Sequence, residues 1–126
     1  MDNLIIEATK YTPKIVFDAG THLLEIKGET YPENTAEFYA PVFKWLEEYI
    51  AKLQNEAVTV NLEINYFNSS SSKVLMDMFD KFEASVKEGK NITLNWIYDK
   101  ENESSFEYGE EFQEDLEVLQ LNLVEK

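Results

Sequence analysis

Residues 57–67 alternate almost perfectly: Val58, Val60, Leu62, Ile64 and Tyr66 fall on one side, Thr59, Asn61, Glu63 and Asn65 on the other. A period of two sustained over this length predicts a strand with one buried and one wet face. Ile92, Leu94, Trp96 and Tyr98 repeat the pattern against Thr93 and Asn95. Between the two stretches Val74, Leu75, Met78, Phe79, Phe82 and Val86 recur at helical spacing, and Gly89 supplies a stop. A strand, a helix and a second strand imply parallel pairing through a right-handed crossover. Because the strands alternate instead of running continuously apolar, helices are expected on mainly one face, which gives a two-layer sandwich.

The remaining segments extend this unit. Leu4 to Thr9, Lys14 to Asp18 and His22 to Lys27 read as short strands separated by turn chemistry at Thr12-Pro13 and at Asp18-Ala19-Gly20-Thr21. The last two are expected to form a hairpin, and a loop follows from Glu29 to Asn34. Asn34 with Glu37 three residues on resembles a capping box, and Phe38, Val42, Trp45, Leu46, Tyr49, Ile50 and Leu53 then share a helical face. Pro41 is expected to kink that helix or to delay its regular part by a turn. Residues 102–115 predict an acidic helix around Phe106 and Phe112, and Val118 to Val124 a closing strand. The fold class is therefore α/β, a single domain over residues 1–126 with a mixed sheet of about six strands and about three helices.

Composition narrows function mainly by exclusion. Twenty-five acidic residues against eleven basic ones give a formal charge of -14, which repels nucleic acid and anionic membrane surfaces and favours a basic protein partner. There is no cysteine, so disulfides, thiolate metal sites and a cysteine nucleophile are absent. Met1-Asp2-Asn3-Leu4 lacks the features of a signal peptide and no apolar run approaches roughly eighteen residues, so a cytoplasmic location is expected. The single histidine, His22, falls in a predicted hairpin strand and reads as a surface or sheet-edge residue, not as a general base. Asp77, Asp80 and the acids from Glu101 to Asp115 are spaced around helices as a solvated face is, so no metal is expected. Gly20, Gly28, Gly89 and Gly109 each stand alone, which leaves no phosphate-cradling loop and no expected cofactor.

One run remains: Tyr66-Phe67-Asn68-Ser69-Ser70-Ser71-Ser72-Lys73, where a strand ends and a helix begins. A serine here can simply cap the helix, which stabilises it by about 0.5 to 2 kcal/mol. The same place, beside free amide donors at the carboxyl end of a strand, also suits an exposed group that carries an anion. A phosphate there would add nearly two negative charges, tolerable to the helix but not to an acidic or apolar partner surface pressed on it. A different class of function, a small acidic ligand-binding domain or enzyme with a pocket at the strand ends near Tyr66 and Tyr98, is the alternative. A third is self-association through the polar sheet face, so the chain is expected to be a monomer or a weak homodimer.

Gly28-Glu29-Thr30-Tyr31-Pro32-Glu33-Asn34-Thr35, the serine run leading into Met76-Asp77, Trp96-Ile97-Tyr98-Asp99 with Asn102-Glu103, and Gly109-Glu110-Glu111-Phe112-Gln113-Glu114-Asp115 together resemble the SiaC-like regulatory phosphoproteins of bacteria along nearly the whole chain. The resemblance implies a fold and logic similar to the anti-sigma factor antagonists, the STAS type, and a non-enzymatic switch. It implies that a serine/threonine kinase adds a phosphate, that a metal-dependent protein phosphatase removes it, and that the unphosphorylated form binds and activates a diguanylate cyclase involved in biofilm formation. The family's hydroxyl, typically a threonine in Asn-Thr-Ser-Ser, matches Ser69, with Ser70 as second choice. Tyr31, Pro32, Glu33, Asn34, Asn68, Ser69, Ser70, Ser71 and Lys73 are the candidate partner contacts.

Overall fold

The chain is described over residues 1–126 by a computed structural model. Nine elements follow one another: β1 (Leu4–Ile6), β2 (Lys14–Asp18), β3 (Leu23–Thr30), α1 (Thr35–Lys52), β4 (Ala57–Phe67), α2 (Ser69–Lys87), β5 (Asn91–Tyr98), α3 (Glu103–Glu114) and β6 (Gln120–Glu125). The strands form one mixed sheet in sequential order, β1-β2-β3-β4-β5-β6. β1, β2 and β3 pair antiparallel, whereas β3, β4, β5 and β6 pair parallel. Crossovers of one hand that each step to the next neighbour carry their helices to the same face. All three helices accordingly share one core with the apolar side of the sheet, around Ile26, Val60, Leu62, Leu94 and Trp96 from the strands and Leu46, Leu75, Met78, Phe82 and Phe112 from the helices.

The uncovered face is polar from β3 to β6 and apolar at the β1–β2 edge, where Ile5 and Val16 lie. Ile5, Val16, Glu25, Asn61, Asn95 and Asn122 face one another in register straight across the six strands. Asn61 donates to Glu25, Asn95 to Asn61 and Asn122 to Asn95, the last two at 2.9 and 3.0 Å. These amides satisfy one another where a second helical layer would have demanded apolar residues.

Several boundaries differ from the expectations for physical reasons. β1 stops at Ile6, because the Thr9 hydroxyl accepts from the backbone N–H of Tyr11 and Thr12 and folds the chain into a turn. β3 begins at Leu23; His22 precedes it in the left-handed region at φ 58° and its Nδ1 pairs with the Tyr49 hydroxyl at 2.6 Å. α1 starts at the expected Asn34 cap and runs through the exposed Pro41 without a delayed start. Its buried face includes Tyr39, which replaces the half-buried Phe38 of the expected stripe.

One departure matters for function. β3 and β4 pair Gly28 with Ile64 and then Glu29 with Tyr66, so Asn65 is an extra residue in β4. A bulge shifts the two-residue period by one. Tyr66, expected on the buried face, therefore turns outward, and Phe67 turns in against Trp96 and Phe112 at centroid separations of 6.3 and 6.1 Å.

Candidate functional site

The bulged end of β4 delivers the serine run to the start of α2. Asn68 is the helix cap: its side chain accepts from Ser71 N at 3.0 Å, and its carbonyl accepts from Ser72 N at 2.9 Å. Its own N–H donates to Thr30 O, the last residue of β3, which ties the junction to the sheet. Helical rotation of about 100° per residue then gives four adjacent serines four environments.

Ser69 is exposed and opens onto a surface cleft of about 440 Å³ lined by Tyr66, Phe67, Asn68, Ser72 and Tyr108. Ser70 is also exposed, but its Oγ donates to Asn68 Oδ1 at 3.2 Å and shares a 2.7 Å bond with Thr35 Oγ1 at the start of α1. Ser71 is fully buried, with its Oγ 3.1 Å from Thr30 Oγ1, which lies 2.6 Å from the Tyr39 hydroxyl. Burial pushes the Tyr39 phenol up to about 12 even though the bond from Thr30 works against it. Tyr39 thus stays a neutral member of a buried hydroxyl network joining β3, α1 and α2. Ser72 is half-buried in the cleft wall. Lys73, exposed one turn beyond Ser69, enters no salt bridge.

The other expected contact residues gather beside the cleft. Tyr31 is half-buried and stands edge-on to Tyr66 and Tyr11, with centroids 5.6 and 5.4 Å apart. Desolvation raises its pKa, and the Glu29 carboxylate adds to the rise. Glu33 and Asn34 are exposed; Asn34 caps α1 through a 3.0 Å bond from Glu37 N. Pro32 and Ser71, also expected to be contacts, are buried instead of presented at the surface.

A second cleft of about 170 Å³ adjoins the first across Tyr66, Phe67 and Tyr108, and adds Asn65, Ser104 and Ser105 from the bulge and the start of α3. Asn102, the α3 cap, donates to the bulged Asn65 carbonyl and holds the two elements together. Sequence reasoning did not single out Tyr108 or α3 for this site. Phe67-Tyr108 packing at 4.8 Å depends on the bulge, which the alternation of β4 conceals. Tyr98, by contrast, packs on Phe106 and lines neither cleft, so Tyr66 and Tyr98 do not form the shared pocket that a ligand-binding alternative requires. No three His, Asp or Glu side chains converge to hold a metal ion, and no helix is long and apolar enough to cross a membrane.

Known proteins match this architecture end to end. The family model for SiaC family regulatory phosphoproteins matches residues 6–126. A protein of Pseudomonas aeruginosa strain UCBPP-PA14, itself uncharacterised, is 37% identical over 115 residues, covering 91% of this chain and 90% of that protein. The crystal structure of apo-SiaC from Pseudomonas aeruginosa superposes with a TM-score of 0.91 at 34% identity, covering 98% of this chain and 99% of that one. A chain in the crystal structure of the diguanylate cyclase SiaD with its activator SiaC, from the same organism, superposes at 0.92 and 34% identity with the same coverage.

Proposed function

This chain belongs to the SiaC family of regulatory phosphoproteins, and from that membership we propose that it is a non-enzymatic phosphoswitch whose unphosphorylated form binds and activates a diguanylate cyclase. A serine/threonine kinase adds phosphate to Ser69 and a metal-dependent phosphatase removes it. The observation that carries the assignment is the contrast within the serine run. Ser69 alone is exposed at the mouth of a cleft with its hydroxyl uncommitted, Ser70 is tied to Thr35 and Asn68, and Ser71 is buried. The partner face is formed by Tyr31, Glu33 and Asn34 together with Asn68, Ser69, Ser70 and Lys73, and Pro32 and Ser71 sit behind it.

Magnitudes explain why phosphate switches binding and leaves the fold intact. At the first position of α2 a phosphate gains about 0.3 to 1 kcal/mol from the helix terminus. The cleft lining contains no Lys or Arg, and the nearest cation along α2, Lys73, is exposed one turn away, so covering the cleft with a partner would bury a dianion that is at most partly compensated. That costs about 3 to 5 kcal/mol by analogy with broken buried ion pairs.

The test compares affinities for the diguanylate cyclase from the same cells. Ser69→Ala is expected to bind as the unmodified protein does, Ser69→Asp to bind at least about tenfold more weakly, and phosphorylated protein more weakly still, because Asp carries one charge and phosphate nearly two. Equal affinities for all three, with unchanged thermal melting, would reject the switch.

A further inference from the structure

The seam between α2 and α3 exposes more apolar surface than the fold uses. Tyr66 is 54% exposed, Tyr108 45% and Met76 45%. Tyr66 and Tyr108 wall both clefts, and Met76 lies two turns along α2 from Ser69, over Phe79, Phe112 and Leu116. Single exposed apolar residues are ordinary, but Tyr66 and Tyr108 together wall the cleft that Ser69 shares and form a patch of the kind that marks a contact, whereas Met76 lines a separate cleft with Asp80 and Asp115. Neither of the clefts walled by Tyr66 and Tyr108 is lined by a charged side chain.

The border of the seam has the opposite character. α3 carries Glu103, Glu107, Glu110, Glu111 and Glu114, all exposed, and no Lys or Arg. None of the five enters a salt bridge. Glu107 adjoins Tyr108 in sequence, and Glu111 stands about one turn along α3 on the same side.

Building on the phosphoswitch reading, we infer that the α2–α3 seam is the docking groove, and that its occupant is a segment of the diguanylate cyclase with a large apolar side chain flanked by Lys or Arg. The apolar anchor seats on Tyr66, Phe67 and Tyr108, and the basic flank lies along the carboxylates of α3. Charge complementarity selects a basic segment over an acidic one and speeds encounter, and a guanidinium near a tyrosine face adds a cation–π contribution. This arrangement gives the switch its sign. A phosphate on Ser69 occupies the cleft that the anchor needs. The lost cleft is a direct steric and desolvation cost, and the basic flank, laid along the carboxylates of α3, is not placed in the cleft to offset it.

The experiment measures the affinity of the full-length protein for the whole cyclase at low and at high sodium chloride, using Tyr108→Ser, Tyr66→Ser and the double charge reversal Glu107→Lys with Glu111→Lys. All four positions are exposed, and thermal melting confirms that each variant is folded; Tyr66→Ser on β4 provides an anchor variant independent of α3. Affinity of the unmodified protein is expected to fall as salt rises, and the anchor variants and the charge reversal are each expected to weaken binding by about tenfold or more. If the unmodified protein binds but folded variants bind equally well, or salt leaves affinity unchanged or raises it, the seam assignment is overturned and the phosphoswitch stands. If the unmodified protein does not bind the cyclase at all, both readings fall together.

Discussion

Four identical side chains at the start of α2 do four different things, and the differences arise from where helical rotation points each hydroxyl. Ser71 is the structural one. With Thr30 and Tyr39 it forms a chain of hydroxyls shut off from water, at 3.1 and 2.6 Å. Thr30 is the hub, since it serves both partners. Thr30→Val keeps the volume but leaves the Tyr39 and Ser71 hydroxyls unpaired, so chemical denaturation should show a loss of about 1 to 3 kcal/mol. An unchanged midpoint would mean that the network contributes nothing net. The position of Ser69 at a strand-to-helix junction was legible in the sequence. Which serine is free was not, because that depends on Thr35 and Thr30, residues 35 and 41 positions away from their serine partners.

At the level of elements, α2 is held at both ends. Its start is pinned to β3 and α1, and near its other end Glu83 clamps the connection from α3 to β6, accepting from the backbone N–H of Glu117, Val118 and Leu119 at 2.7, 2.8 and 2.6 Å. Burial opposes ionisation of Glu83, yet the three donors outweigh it and hold its pKa below the ordinary 4.5. A folded pKa below the unfolded one means that the stabilisation is complete above the unfolded value and is lost as pH falls through the folded value. Glu83→Ala should therefore cost about 1 to 3 kcal/mol at pH 7, where three backbone donors lose their acceptor. The gap to the unmodified protein should narrow as denaturation is repeated at progressively lower pH, below 4.5. A gap independent of pH would show that the ionised carboxylate is not what holds the loop.

α3 shows a second constraint. A glycine inside a helix ordinarily costs about 1 kcal/mol relative to alanine. At Gly109, however, a β-carbon would lie 2.6 Å from Leu123 Cδ2 and 2.6 Å from Trp96 Cδ1. Overpacking costs about 1 to 3 kcal/mol and here meets a fully buried ring, so the clash should win. Gly109→Ala is expected to lower the melting temperature and to move Tyr108 away from the cleft; a rise in melting temperature would show that α3 can shift freely on the sheet. The acidic helix itself was legible from its periodicity, but its closeness to β5 and β6 was not, since a lone glycine signals only that something is near.

For the whole molecule, sequential strand order places each element against its chain neighbours, and every helix feeds one core. No second cluster exists that could melt separately from the residues of that core. Unfolding is expected to be a single transition, with Trp fluorescence from Trp45 and Trp96 coincident with far-ultraviolet circular dichroism. Two resolved transitions would mean that the β1–β2 hairpin side and the parallel side fold as separate units. The asparagine row on the open face also belongs to this scale. Amides at the same register of β4, β5 and β6 can pair only after those strands lie side by side, so the row reports strand order as well as solvation.

Periodicity and punctuation were enough to determine the number and order of elements, the two-layer arrangement and the cap at Asn34, because each follows from side chains within a few residues of one another; α2 is capped by Asn68 and not by a serine as expected, and the Asn102 cap of α3 was not anticipated. What only the tertiary structure decided was the extra residue at Asn65, the outward turn of Tyr66, the placement of Tyr108 beside Ser69 and the burial of Ser71. A bulge changes no composition and breaks no local pattern until the partner strand is in place. The surface around Ser69 is built from β3, β4, α1, α2 and α3 together, and their mutual approach is set by packing, which a linear pattern does not encode.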